Sequence, residues 1–258
     1  MKRAFKVIGL VVAVLVVGVA ALVFTVFRPY WAKPVTAPAE YGGIRVIADS
    51  MATMGVVPVA PDQVVLIDAG MDDDGKVILD ELARRKLGPD AVRAILLTHG
   101  HPDHVAGVPL FTKAEVMILE PDVATAEGRA PYRGPIQRLF SVKPRKFKIT
   151  RALHDGESVV VGDATFRVFA VPGHTGGSAA FLVDGVLFAG DSANATREAT
   201  LRLFSAMLTE DVTQSRASLV RLADRLEAEH AEVKTLVFSH SGALDGLGPL
   251  AAFAGASR

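Results

Sequence analysis

Three histidines and an aspartate crowd into six consecutive positions of this chain, in the motif His99-x-His101-x-Asp103-His104. Imidazole and carboxylate groups together are the ligand set that a divalent ion such as zinc prefers. Positions i and i+2 lie on nearly opposite sides of a helix, so this spacing favours a strand that ends in a tight loop. Four ligands in one loop exceed what a single structural site takes from one segment. The motif therefore predicts a site for two metal ions.

Three further polar residues, His174, Asp191 and His240, each follow closely on a short apolar run that predicts a strand. Neighbouring strand ends can converge on one edge of a sandwich, so these residues and the first loop can build a single site. Two other histidines fit this pattern poorly. His154 lies in a charged loop and His230 near the end of an amphipathic helix, so both are interpreted as ordinary surface residues.

The elements that would position these ligands form two similar halves. Short runs rich in β-branched residues predict the strands, and helices are predicted at residues 76–86 and 211–229. The predicted strands are residues 44–47, 55–59, 64–67, 92–97, 115–119, 158–161, 165–171, 179–182, 186–189 and 233–238. This order predicts an α+β protein in which two mixed β-sheets pack face to face, with helices on both outer faces.

The N-terminal part of the chain predicts a membrane anchor. Residues 7–27 contain no charged side chain, and at ~1.5 Å per residue they match a hydrocarbon core of about 30 Å. The run has no polar face, which argues against a buried helix, and it is longer than the ~7–15 apolar residues of a usual cleaved signal peptide. The chain is therefore divided into a basic segment (1–6), a transmembrane anchor (7–27), a linker (28–43) and the main domain (44–258).

Charges around the anchor predict its orientation. Lys2, Arg3 and Lys6 precede it, which favours a cytoplasmic N-terminus and a main domain on the periplasmic or extracytoplasmic side. Tyr30 and Trp31 would then lie at the membrane interface. If the apolar segment were cleaved instead, the protein would be periplasmic or secreted.

Composition narrows the class of function. The chain has 258 residues, a formal net charge of zero and no cysteine. Neutrality argues against a general nucleic-acid binder, which normally carries a basic excess. The lack of cysteine excludes disulfides, thiolate metal sites and a cysteine nucleophile. A small-molecule substrate is therefore expected, and the oligomeric state stays open.

Two segments outside the ligand loops are candidates for substrate contact. Residues 127–151, called the basic loop below, either steer an anionic substrate or lipid or form a solvated surface. Tyr132 in this loop is a candidate substrate contact. Residues 195–209 are largely apolar and include a second candidate, Phe204. They form either a lid beside the metals or a helix packed on the core.

The ordered ligand set resembles the metallo-β-lactamase-fold hydrolase superfamily over roughly residues 44–245, and its motif pattern is most similar to glyoxalase II and lactonase-like members. The resemblance implies an αββα sandwich with the metals on one edge. It also implies two metal ions with three ligands each and Asp191 as the bridge between them. The first ion is assigned His99, His101 and His174, and the second Asp103, His104 and His240.

Two residues are expected to support the ligands. Asp68 matches the upstream Asp-x-Gly signature of the superfamily and, with Thr98, is expected to orient the first loop from behind. Asp103 is the expected catalytic residue, accepting a hydrogen bond from the nucleophile and passing a proton to the leaving group.

The metals implied are two divalent ions, zinc in the first place and iron or manganese as alternatives. A water shared by two ions has its pKa lowered from about 15.7 toward 7, which supplies a bridging hydroxide at neutral pH. The expected activity is therefore hydrolysis of a carbonyl compound without a protein nucleophile.

The resemblance also narrows the bond that is cleaved. β-Lactamases of this fold usually carry cysteine or serine where Asp191 stands, so an ester, thioester or lactone is favoured over a β-lactam. Glyoxalase II proteins carry a C-terminal helical domain that recognises glutathione, whereas only a short tail follows His240. Nucleases of this fold carry a large insertion that this chain lacks. The alternatives are β-lactamase activity and a mononuclear iron oxidoreductase similar to persulfide dioxygenases.

Overall fold

Two β-sheets lie face to face in this chain, with helices packed on their outer sides. The computed structural model describes residues 2–27, 32–50 and 52–258. Its helices are α1 (Lys2–Phe27), α2 (Lys76–Arg84), α3 (Pro102–Val105), α4 (Val123–Ala126), α5 (Val212–Ala228) and α6 (Gly248–Gly255). Its strands are β1 (Ala39–Tyr41), β2 (Ile44–Asp49), β3 (Ala52–Ala60), β4 (Gln63–Ile67), β5 (Val92–Leu96), β6 (Glu115–Leu119), β7 (Arg151–Leu153), β8 (Ser158–Val161), β9 (Ala164–Ala170), β10 (Ala179–Val183), β11 (Val186–Phe188), β12 (Ala193–Ala195), β13 (Leu201–Leu203), β14 (Thr235–Phe238) and β15 (Ser241–Asp245). The αββα sandwich predicted from the sequence, preceded by an apolar helix, is confirmed.

The first sheet contains seven strands in the order β1-β2-β3-β4-β5-β6-β7. Strands β1 to β4 pair antiparallel, and β4 to β7 pair parallel. A parallel pair needs a crossover connection, and α2 supplies it between β4 and β5. Because β4, β5 and β6 run parallel, the segments that follow them meet at one edge of the sheet.

The second sheet contains six strands in the order β15-β14-β11-β10-β9-β8. Strands β8 to β11 form an antiparallel meander, while β14 pairs parallel with β11 and antiparallel with β15. Strands β9, β11 and β14 therefore point the same way. Their ends lie together, as the sequence pattern requires of the ligand loops.

Alternation along the strands divides the apolar side chains into three layers. On β9, Phe166 is buried between the two sheets, whereas Phe169 faces the outer side of the second sheet. There α5 covers it with Leu219, Leu222 and Leu226, one helical face of the predicted amphipathic segment. A matching layer under α2 covers the first sheet. These layers hold the strand ends, and so the ligand loops, in fixed positions.

Several short elements are present that the sequence pattern does not predict. Strand β1 lies inside the predicted linker 28–43, and β15 and α6 follow His240 in the predicted tail. Residues 195–209, for which a helix on the core was one of two expectations, contain no α-helix; they contain β13, which pairs with β12, and the 3₁₀ turn Ala206–Leu208. Strands β1, β12 and β13 have three residues each, which is too short for a periodic pattern to show in the sequence.

Helix α1 is apolar over nearly its whole length. Its stretch Lys6–Phe24 is long and apolar enough to cross a membrane, with a mean hydropathy of 3.2. The predicted interfacial residues Tyr30 and Trp31 lie outside the described residues. Ala32, five residues after the end of α1, already contacts the main domain, because it pairs with Thr196 in the turn after β12.

Candidate metal centre

The loops that carry the predicted ligands meet at one edge of the sandwich, after β5, β9, β11 and β14. Asp103 and His104 lie on the short helix α3, which begins directly after His101. Gly190 allows the loops to approach closely. It has a φ of +56°, and a Cβ there would lie 2.8 Å from the Cβ of Thr98. Only glycine adopts this conformation in this space without strain, so the loop after β11 lies directly against the loop after β5.

Three histidine nitrogens form the first ligand group. His101 Nδ1 lies 3.0 Å from His99 Nε2 and 3.0 Å from His174 Nε2. All three rings are buried. In a tetrahedral zinc site with Zn–N bonds of ~2.0–2.1 Å, neighbouring nitrogens lie about 3.3 Å apart. The observed spacing therefore suits one ion held by three imidazoles.

Two carboxylates and two imidazoles form the second group. His240 Nε2 lies 3.2 Å from Asp103 Oδ2 and 3.2 Å from Asp191 Oδ2. His104 Nε2 lies 3.5 Å from Asp103 Oδ2 and 3.6 Å from Asp191 Oδ1. The four ligand atoms all lie within 4.8 Å of one another, so they can share a second ion.

Asp191 lies between the two groups. Its Oδ2 atom is 3.4 Å from His174 Nε2 and 4.0 Å from His99 Nε2, and both of its oxygens also face the second group. A carboxylate that reaches both sets is the arrangement that two neighbouring ions require. The structure thus brings together all seven residues that the sequence singles out as ligands.

Asp68 and Thr98 support the first loop from behind, where the sequence predicts them. Asp68 Oδ1 accepts from the Thr98 backbone N–H at 2.7 Å, and its Oδ2 accepts from the Thr98 hydroxyl at 2.8 Å. Asp68 Oδ2 also lies 2.8 Å from His104 Nδ1. A hydrogen bond at Nδ1 orients the ring so that Nε2 points into the site.

Burial and charge set the ionisation of the ligands. Burial lowers the pKa of His99, His101 and His174, the last to about 3, so these rings are neutral at pH 7. Burial raises the pKa of Asp103 and Asp191, but the neighbouring histidines outweigh it and hold both carboxyl pKa values well below their usual range. Neutral imidazole and ionised carboxylate are the forms that bind metal.

The histidines of the second group behave differently. Burial lowers the pKa of His240, but Asp191 and Asp103 outweigh it and raise the pKa to about 10. Burial also lowers the pKa of His104, and there the carboxylates of Asp103 and Asp68 raise it well above its usual value. A proton held on either ring would have to leave before its nitrogen could hold a cation.

Two buried atoms of the second group lack a hydrogen-bond partner among the described residues, as expected where a cation binds. His104 Nε2 and Asp191 Oδ1 are buried without a hydrogen-bond partner in the described chain. A buried polar atom left without a partner costs about 1–3 kcal/mol. A metal ion bound between them would satisfy both atoms, so the residues present fit the metal that the ligand set implies.

Asp122, which the sequence reasoning missed, joins two of the ligand loops. Its carboxylate is buried and accepts from Gly100 N–H at 2.8 Å, from the Thr175 hydroxyl at 2.8 Å and from Gly177 N–H at 2.9 Å. It thus fastens the loop of His101 to the loop of His174. A signal was present, because Asp122 follows the apolar strand β6 as the ligands follow their strands.

A cavity of about 890 Å³ opens over the two ligand groups. Tyr132 and Phe204, the two candidate substrate contacts, both line it. The Tyr132 ring centroid lies 5.3 Å from that of His101, and the Phe204 centroid lies 4.9 Å from that of His174. Other lining residues come from the segment after α1, from the basic loop and from the 3₁₀ turn after β13: Ala32, Lys33, Pro34, Val35, Gln137, Phe140, Ser141, Lys143, Pro144, Arg145 and Leu208.

The two histidines interpreted as surface residues lie apart from this site. His154 and His230 are exposed, the first in the loop after β7 and the second after α5. Neither belongs to a ligand group. His154 directly follows β7, so position at a strand end does not by itself separate the candidate ligands from surface residues.

Comparison with known proteins gives relatives of two kinds. The hydroxyacylglutathione hydrolase of Shewanella sp. (strain ANA-3) is 33% identical over 129 residues, which are 50% of this chain and 43% of that enzyme. The chain thus spans less than half the length of this relative. The subclass B3 metallo-beta-lactamase BJP-1 of Bradyrhizobium japonicum has a TM-score of 0.64 at 22% identity, covering 90% of this chain and 94% of that one. The metallo-beta-lactamase MIM-1 of Novosphingobium pentaromativorans has a TM-score of 0.66 at 22% identity, covering 88% of each chain.

At such identities the likeness to solved structures concerns the fold alone. The family model supplies the assignment, because it matches residues 52–240. This range extends from the start of β3 to the last ligand, His240, and contains both ligand groups. The chain therefore belongs to the metallo-beta-lactamase superfamily.

Proposed function

We propose that this protein is a dinuclear metal-dependent hydrolase that cleaves an ester, thioester or lactone. The observation that carries the proposal is the pair of ligand groups joined by Asp191 at the base of an 890 Å³ cavity. His99, His101 and His174 would hold one ion. The second ion would be held by the remaining three ligands, Asp103, His104 and His240.

Zinc fits a donor set of imidazole nitrogen and carboxylate oxygen, and iron or manganese are the alternatives. When bound, two divalent ions would polarise the substrate carbonyl and lower the pKa of a nearby water. The protein contributes the neutral imidazoles of the first group and the ionised carboxylates of Asp103 and Asp191, in place before the substrate arrives.

Asp103 is the residue that moves the proton. Its carboxylate lines the cavity and is ionised at neutral pH, because the neighbouring histidines lower its pKa in spite of burial. It can accept a hydrogen bond from the attacking water and deliver the proton to the leaving oxygen or sulfur. Tyr132 and Phe204 flank the ligands and exclude bulk water from one side of the cavity.

The thioester is the member of this class that the relatives support, since the curated relatives are named hydroxyacylglutathione hydrolase. The chain covers only part of those enzymes, so glutathione itself is not proposed. The second ligand group weighs against a mononuclear iron oxidoreductase, which uses fewer ligands. Asp191 at the bridging position weighs against a β-lactam substrate.

Helix α1 is proposed to anchor the protein in a membrane, with the main domain on the periplasmic side. Its apolar stretch Lys6–Phe24 supports the anchor, and the basic residues before it support the orientation. The full chain should sediment with membranes after alkaline extraction, and a chain lacking residues 1–27 should not. A truncated chain that stays membrane-bound would contradict the anchor.

The hydrolase proposal is tested by metal analysis together with a panel of substrates. The purified protein should hold about two metal ions per chain and should cleave thioesters, lactones or esters faster than a chromogenic cephalosporin. Chelation should abolish turnover, and zinc should restore it. Asp191→Ala should lose metal and activity, whereas His154→Ala, which changes an exposed histidine, should keep both. An Asp191→Ala variant with full metal content and full turnover would refute the proposed bridge.

A further inference from the structure

One wall of the cavity is built from the residues that follow α1. Ala32 pairs with Thr196, and the Lys33 N–H donates to the carbonyl of Ala195 at 2.9 Å. On the other side, the Gly242 N–H donates to the carbonyl of Lys33 at 2.8 Å. This segment is thus hydrogen bonded both to β12 and to β15 while it lines the cavity. The cavity wall and the end of the apolar helix are parts of one short stretch of chain.

The length of that stretch limits how far the cavity can lie from a membrane. Five residue steps separate Phe27, the end of α1, from Ala32, and a fully extended chain covers at most about 18 Å in five steps. The headgroup layer on each side of a bilayer is about 5–8 Å thick. Helix α1 also lies close to the turn Ala206–Leu208, whose Leu208 lines the cavity. With α1 in a bilayer, the cavity is held beside the headgroups.

Exposed apolar side chains gather at the same cavity. In the described chain after α1, the large apolar residues that are exposed are Met71, Leu139, Phe140 and Val160. Met71 and Phe140 line the cavity, and Leu139, which is 77% exposed, is the neighbour of Phe140. Single exposed apolar residues are ordinary, but a group of them around an apolar opening marks a contact surface.

Cations surround these apolar residues. Lys143 and Arg145 line the cavity, and Arg138 and Lys146 are exposed in the same loop. Among the described residues, none of the four has an acidic partner. Glu127, the one acidic residue of the basic loop, pairs instead with Arg129 and Lys148. Because the whole chain is neutral, this excess of positive charge is a specific feature of the basic loop where it lines the cavity.

We propose that this rim docks on an anionic phospholipid surface and that the cavity takes from it a long-chain acyl ester or thioester. The rim consists of the three apolar residues Met71, Leu139 and Phe140 and the four cations Arg138, Lys143, Arg145 and Lys146. Apolar side chains flanked by cations match the boundary between anionic headgroups and acyl chains. Each cation near such a surface strengthens binding about fivefold. The inference rests on the anchor and the hydrolase proposed above.

The reaction needs no partner other than water. The water oxygen forms a bond to the acyl carbon, and the bond from that carbon to the alcohol oxygen or thiol sulfur breaks. The proton lost by the water passes through Asp103 to the leaving group. The fatty acid and the alcohol or thiol are the products.

Docking can be measured on the full chain in lipid nanodiscs, because the chain has no cysteine and a single introduced cysteine can carry a fluorophore. Leu139→Cys reports on the rim, and Val160→Cys, at a position 68% exposed and away from the cavity, is the matched control. In nanodiscs that contain brominated phosphatidylglycerol, the fluorescence of the label at position 139 should be quenched and blue-shifted. The effect should be smaller in nanodiscs made only of brominated phosphatidylcholine. The label at position 160 should not respond. Equal quenching at both positions, or none at 139, would overturn docking.

The substrate half of the proposal is tested by chain length. In the same nanodiscs, kcat/KM for a palmitoyl thioester should exceed that for the acetyl thioester by about tenfold or more, since each buried methylene contributes. Leu139→Ser combined with Lys143→Ser should lower this ratio about fivefold or more, and Val160→Ser should leave it unchanged. Equal kcat/KM for both chain lengths would overturn the inference but not the proposed hydrolase. Failure to cleave both the palmitoyl thioester and the matching palmitoyl ester with two metals bound would overturn the substrate half of the inference. The proposed hydrolase would fall only if the panel of short esters, thioesters and lactones also gave no turnover.

Discussion

Asp122 fastens two ligand loops together, and replacing it with asparagine should loosen both. Its Oδ2 atom accepts from Gly100 N–H and from the Thr175 hydroxyl, while Oδ1 accepts from Gly177 N–H. An asparagine that keeps its oxygen at the Oδ2 position turns its NH2 group toward the Gly177 N–H. Two donors then face each other in a site where the carboxylate is 2% exposed. One charge-assisted hydrogen bond is lost, and one buried donor is left without an acceptor.

The magnitude follows from these contacts. A hydrogen bond to a charged group contributes about 1.5–3 kcal/mol, and an unsatisfied buried donor costs a similar amount. The two terms describe the same Gly177 contact and do not add in full, so Asp122→Asn should lower the free energy of unfolding by about 2–3 kcal/mol. For a chain of this size that is a fall in Tm of about 5–10 °C. Because the two loops carry His101 and His174, metal affinity should fall about 10–100-fold.

Thermal unfolding and zinc competition against a chromophoric chelator measure the two effects. The matched control is Asp90→Asn, which removes an exposed carboxylate paired with Lys113 and should change the free energy of unfolding by less than about 0.5 kcal/mol. If Asp122→Asn bound zinc as tightly as the unmodified protein and had the same Tm as the Asp90→Asn control, the loops would be held by other contacts. The positioning role assigned to Asp122 would then be wrong.

Three further changes test other parts of the structure. Glu81 is a buried carboxylate. The hydrogen bond from Arg84 lowers its pKa, and Arg85 adds to this effect despite burial. Glu81→Gln should therefore destabilise the protein by about 1–2 kcal/mol at pH 7. Urea unfolding at a series of pH values should show this stability difference disappearing as the pH falls below the ordinary glutamate pKa and through the lower pKa of the folded state. The reason is that the arginines stabilise only the ionised form of Glu81. Phe204→Ala should keep the metal but raise KM for an acyl substrate about 5–10-fold in steady-state assays, since the ring contributes apolar surface beside His174. Gly190→Ala should lower the free energy of unfolding by at least about 1–3 kcal/mol, because it strains a positive φ and places a methyl group against Thr98; a variant as stable as the unmodified chain would show that the two loops can separate.

The candidate ligands could be chosen from the sequence because each one is tied to a local pattern. A short apolar run predicts a strand, and a polar residue directly after it stands where a strand leaves the core. His174, Asp191 and His240 meet this criterion, and the structure places all three in the two ligand groups. His230, which follows α5, does not meet it and is exposed. His154 is also exposed, although it directly follows β7, a three-residue strand that the sequence pattern does not predict. Strand formation depends mostly on nearby residues, so this part of the prediction needed no knowledge of the pairing.

The order of the strands within each sheet was not visible in the sequence. Strand β11 pairs with β14 and so brings Asp191 beside His240, although β12, β13 and α5 lie between these two strands in the chain. Three-residue strands such as β1 and β12 carry no periodic signal and form because a neighbouring strand offers hydrogen bonds. For residues 195–209 the alternative of a helix on the core was wrong, since part of the segment pairs in a ribbon, whereas Phe204 and Leu208 line the cavity as a lid beside the metals would.

The sequence by itself determined the class of chemistry: imidazoles and carboxylates at strand ends, no cysteine, and an apolar segment of membrane length. Only the tertiary structure decided how these parts are joined. It tied two loops through Asp122 and built the cavity wall from residues after α1 that the sequence marks only as a linker. The physical reason is that ligand type is a property of single side chains, whereas distances between loops are fixed by contacts between residues far apart in the chain.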